Sequence, residues 1–153
     1  MASAARSLIM GIYDLSTAIQ SLAEVRRKAT ALVDGQNFIV RKKFNPRKNQ
    51  EENAYFGHPG LWDFLQTFLF HGYGKIGRHE AVSHYFRPII NPTTIWLAAT
   101  ALQCAIQSLT ITGYPPKPPP MFEAETYSLA YNKLSKTWNK ACNPAFWRRL
   151  LLC

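Results

Sequence analysis

The sequence predicts an all-α protein, a single-domain bundle of about five helices with a long basic loop and a proline-rich connector. Three observations predict it. Leu8, Ile12, Leu15, Ile19 and Leu22 recur at spacings of 4, 3, 4 and 3, which keeps one face of a helix apolar. Residues 92–109 are apolar on most sides behind a helix-start signal, as a central helix requires. Tyr127, Tyr131, Leu134 and Trp138 repeat the 4, 3, 4 spacing near the end. At 153 residues, 47% of them hydrophobic and 13% aromatic, the chain has material for one core and lacks the composition of a disordered tail.

Residues 1–33 read as one long amphipathic helix, from about Ala4 to Val33. Ala29 and Leu32 continue the stripe, Val25 stands in where Arg26 falls, and Asp34-Gly35 stops the helix. That length suits a helix lying across the core of its own domain, and it also suits pairing with another helix or another chain, such as a homodimer formed through residues 8–33. Residues 34–58 show no helical period and read as the basic loop. Phe38, Ile39 and Val40 suit a short extended segment, Asn45-Pro46 a turn and Asn49 to Asn53 an exposed loop.

The helical core is expected over 59–141. Pro59 suits a first helical turn and leads into Leu61, Phe64, Leu65, Phe68 and Leu69, before Gly72-Tyr73-Gly74 ends that helix. His58, at the helix start, is placed to satisfy an exposed backbone donor. Asn91 caps and Pro92 opens the central helix, which Thr112-Gly113 closes. Pro115 to Pro120 form a stiff connector to the helix of Tyr127 and Trp138. Asn143-Pro144 breaks the chain again, leaving 142–153 as a C-terminal extension.

Eighteen Lys and Arg against nine Asp and Glu give a net charge of +9, which favours anionic partners. Three cysteines, Cys104, Cys142 and Cys153, are too few and too scattered for a disulfide framework or a zinc site. No uninterrupted apolar stretch reaches the roughly 18 residues of a membrane span, and the N-terminus lacks the pattern of a secretory signal. A nuclear or cytoplasmic location is expected.

The basic run is the most informative feature. Arg41, Lys42, Lys43, Arg47 and Lys48 place five positive charges within eight residues, interrupted by Phe44. Cations of this density neutralise phosphates and release counterions, and Phe44 is available to stack on a base. Arg26, Arg27 and Lys28 form a second cluster on the first helix. Such runs also serve as nuclear-import signals, and many are only solvated surface. A weaker anion candidate is the turn containing Gly72, Gly74, Lys75, Gly77 and Arg78, where backbone N–H groups and two cations suit a phosphate. Its glycine spacing matches a dinucleotide fingerprint, but it follows a helix and no acidic residue lies about 20 positions on.

No catalytic residue emerges. His79 and His84 lie five apart, about 140° around a helix, and cannot share a metal as an i, i+4 pair does. Cys104 sits in the most apolar helix and reads as an inert core thiol. Neither a metal nor a cofactor is expected.

Several elements together resemble a known family. Phe56-Gly57-His58-Pro59 leads into the helix ending Phe68-Leu69-Phe70. Pro92-Thr93-Thr94-Ile95 opens the helix carrying Ala99-Thr100-Ala101-Leu102-Gln103-Cys104-Ala105-Ile106. Thr112-Gly113, Phe122, Tyr127 and Tyr131 follow in order. Over about residues 1–140 this is similar to a helical domain family of unknown function from basidiomycete fungi, found in many copies per genome and often near mobile-element genes. The resemblance implies a helical domain in a fungal intracellular protein and carries over no catalytic residues. The function expected is a non-enzymatic interaction domain that binds nucleic acid or another polyanion and self-associates through its first helix. The alternative is a small-molecule binder or enzyme with Trp62, Tyr73, Tyr85, Trp96, His71, His79 and His84 around the Gly72–Gly77 loop.

Overall fold

The computed structural model describes residues 8–67, 91–115 and 124–141. Residues 8–12 form a short helical segment, and the chain turns through 13–20. Helix α1 then spans Leu22–Val33 and a 3-10 corner spans Asp34–Ile39. Strands β1 (Val40–Asn45) and β2 (Gln50–Tyr55) pair antiparallel, followed by α2 (Pro59–Gln66), α3 (Pro92–Thr112) and α4 (Ala124–Ala141).

The hairpin corrects the expected fold class. The protein is mostly helical but α+β, because the stretch expected as a basic loop is a two-stranded sheet. Its turn is built from side chains that close on the backbone. Asn45 accepts from the Arg47 N–H through Oδ1 (3.0 Å) and from the Lys48 N–H through its carbonyl (3.2 Å). Asn49 then takes a left-handed φ of 50°, which asparagine tolerates.

The first helix is likewise not continuous. Ser21 restarts it as a capping box: its Oγ accepts from the Glu24 N–H (3.3 Å), and its own N–H donates to Glu24 Oε2 (3.2 Å). The residues that extend the apolar stripe divide accordingly. Leu15, Val25 and Ala29 are buried and Leu8, Ile12 and Leu32 partly buried, whereas Ile19, in the turn, is 85% exposed and Leu22 45%.

Helix α3 is the centre of the core and packs against α1, α2 and α4. Asn91 caps it, accepting from the Thr93 N–H (2.9 Å), with Pro92 in the first turn. By length and composition it could cross a membrane; here Ile95, Ala98, Ala99, Leu102, Ile106 and Leu109 are buried in the core. Gly113 ends it at φ 77°, and a Cβ there would meet the Leu22 carbonyl oxygen at 2.6 Å, so only glycine lets α3 end against the start of α1. His58 caps α2 as expected, its Nδ1 accepting from the Gly60 N–H (3.0 Å) while its ring stacks on Tyr13. The Tyr13 hydroxyl donates to the Phe38 carbonyl (2.9 Å), tying the first turn to the 3-10 corner.

Candidate nucleic-acid interface

The hairpin touches the rest of the protein at its base. Val40 and Tyr55 pair there, β1 leaves the 3-10 corner, β2 leans on α4, and Phe56 beyond it is fully buried against Trp138. Outward from that base the ribbon is exposed on both faces over Arg41–Phe44 and again over residues 46–51. Six residues per strand make it about 20 Å long.

Pairing and alternation divide the predicted cations between two faces. Arg41 opposite Ala54 and Lys43 opposite Glu52 lie on one face; Lys42 opposite Asn53 and Phe44 opposite Glu51 lie on the other. Phe44 is 62% exposed. The second strand brings carboxylates to this run: Lys42 Nζ lies 3.7 Å from Glu51 and Lys48 Nζ 2.8 Å from Glu52. The Lys48 ammonium, with Asn45 beside it, holds the Glu52 carboxyl below the usual carboxylate range. Among the described residues the side chains of Arg41 and Arg47 have no carboxylate within 4 Å. Exposed pairs of this kind are weak and screened by salt, so a phosphate can displace them.

The second predicted cluster is not one patch. Arg26 and Arg27 are exposed on α1, but Lys28 bridges to Asp14 Oδ2 at 2.6 Å and pins the 13–20 turn to the helix. The partner Asp14 was not singled out by its sequence, because a continuous helix would carry it well away from Lys28.

The Gly72–Arg78 turn and His71, His79, His84, Tyr73 and Tyr85 lie outside the described residues, as do most of the proline connector and the C-terminal extension. Of the aromatic pocket, Trp62 donates to the Phe56 carbonyl (2.9 Å) and Trp96 packs edge-on against Tyr131 and Trp138, so both serve the core. Among the described residues no three His, Cys, Asp or Glu side chains gather to hold a metal. Burial pushes the half-buried Cys104 thiol up to about 11, with Tyr127 opposing in part.

A basic, doubly exposed β-ribbon carried on a helical core defines a small α+β domain with one projecting arm. The chain belongs to the family described as a domain of unknown function (DUF6532), which matches residues 1–141. No curated protein and no solved structure matches the chain.

Proposed function

We propose that this is a non-enzymatic interaction domain whose ribbon binds nucleic acid or another polyanion. The observation that carries the reading is the exposed ribbon itself: five cations against two carboxylates, with Phe44 exposed among them. A two-stranded ribbon fits the major groove of a duplex, and an exposed ring offers stacking to a single strand. Arg26 and Arg27 extend the basic surface if they meet the same strand. Such a role would go with nuclear or cytoplasmic residence.

Binding of labelled random duplex and single-stranded DNA across a salt series tests it. The expected slope of log affinity against log salt is about −3 to −5, a few phosphates neutralised. Arg41→Glu with Arg47→Glu should abolish binding while the urea midpoint stays within about 0.5 kcal/mol of the parent. A parent that binds neither probe at low salt overturns the reading.

Self-association rests on Ile19 and Leu22, 85% and 45% exposed, the large apolar side chains that the described part of residues 8–33 leaves on the surface. Sedimentation velocity at micromolar concentration distinguishes a dimer from the monomer that would remove this part.

A further inference from the structure

Between the 3-10 corner and α4 lies a solvent-open cavity of about 410 Å³, lined by Gly35, Gln36, Tyr55, Lys133, Thr137, Lys140 and Ala141. Among the described residues its lining includes two lysines, a tyrosine, a threonine and a glutamine, and no acidic residue. Lys133, Thr137 and Lys140 fall at spacings of four and three, which brings them to one face of α4.

Gln36 is the unusual member. It is 5% exposed, yet its side chain is polar and its backbone is left-handed, with φ 61° directly after Gly35 at 62°. The Thr137 hydroxyl, shared between the Lys133 carbonyl at 3.0 Å and the Gln36 Oε1 at 2.7 Å, reaches the amide across 101 residues of sequence, and Nε2 has no acceptor among the described residues. A buried amide donor without an acceptor costs free energy, and left-handed backbone at a non-glycine residue adds to that cost. A chain that keeps both beside two lysines has a donor set waiting for an anion.

We infer that this cavity is a binding site for a phosphate monoester. Lys133 and Lys140 would neutralise the phosphate, the Gln36 amide would donate to it, and the Tyr55 ring would form a wall for the attached group. The monoester belongs either to a small molecule such as a mononucleotide or to the end of a nucleic-acid strand. The inference does not rest on the ribbon binding DNA.

The test is an NMR titration of the full chain, reading the Gln36 side-chain NH2 and the Thr137 amide. The probes are AMP, adenosine, and a single-stranded trinucleotide with and without a 5′-phosphate. Shifts with AMP identify a small-molecule site; shifts with the phosphorylated trinucleotide alone identify a strand end. In either case Lys133→Ala and Lys140→Ala should each weaken binding about tenfold or more, the loss of one charge-assisted contact. Arg41→Glu with Arg47→Glu should leave AMP binding unchanged, which separates this site from the ribbon. No shift with either phosphorylated probe at about 1 mM, equal binding of adenosine, or lysine variants that bind like the parent overturns the inference.

Discussion

Replacing Glu51 and Glu52 together by Gln tests what the second strand does to the ribbon's charge. In the parent these carboxylates sit 3.7 Å from Lys42 and 2.8 Å from Lys48, so these two cations are partly occupied. Glutamine keeps the length of each side chain and one acceptor oxygen while removing the charge. If Lys42 and Lys48 then each neutralise one duplex phosphate more fully, the salt slope steepens by up to about 1.8, from about 0.9 per phosphate. Between about 50 and 200 mM salt, that steepening adds about tenfold to the loss of affinity. The assay is fluorescence anisotropy on a random duplex, with urea unfolding as the check that the domain is intact. Both carboxylates are well exposed, so the urea midpoint should barely move. An unchanged slope with tight binding would refute the argument, because Lys42 and Lys48 would then lie away from the phosphates.

Three further outcomes are expected. Gly113→Ala should destabilise by about 2 kcal/mol or more, from left-handed strain and the clash with the Leu22 carbonyl, read as a shift of the urea midpoint. Burial holds His58 below its ordinary value of 6.5 with Asp63 opposing, so the unfolded state takes up the proton first. Stability is therefore full above about pH 6.5 and falls as pH drops toward the folded value; His58→Asn, which keeps a cap oxygen, should flatten that fall in urea midpoints at pH 7.5 and 5.5. Cys104, held near 11, should react with a maleimide far more slowly at pH 7.5 than a free thiol of ordinary acidity, and speed up in urea.

Much of the helical frame was legible because its signals are local. Asn91-Pro92 and Gly113 act within one turn of chain, and the apolar faces of α3 and α4 need only a count of spacings. The strands were not legible because the usual cue is one buried face. Arg41, Lys42, Lys43 and Phe44 are all exposed, so no apolar alternation marks β1, and its register comes from the backbone ladder and the Asn45–Asn49 turn. The stripe through Ile19 suggested a helix where the chain turns. Ser21-Leu22-Ala23-Glu24, a capping-box pattern, was the signal that the helix begins again there. Lys28 belonged to the basic cluster in sequence and to Asp14 in space, a pairing that exists only because the first helix is broken. The cavity was equally hidden: Gln36 and Thr137 stand 101 residues apart and neither carries a motif.

Stability does not account for the ribbon. A two-stranded hairpin alone is marginal in water, and this one buries its apolar side chains only at the base, at Val40, Tyr55 and the neighbouring Phe56. Its outer residues bury almost nothing, and like charges crowd Arg41, Lys42 and Lys43 along one strand. Those charges also discourage the two open edges from pairing with another sheet. The exposed cations and Phe44 on an anchored base are what the proposed anion-binding role would use. Tyr55 links that base to the cavity, because the residue that closes the ribbon's last pair also walls the lysine-lined space beside α4. Among the described residues, two differently shaped surfaces thus bring cations together, the exposed ribbon and the solvent-open pocket beside α4, and these are the surfaces proposed above for a polymer and for a phosphate monoester.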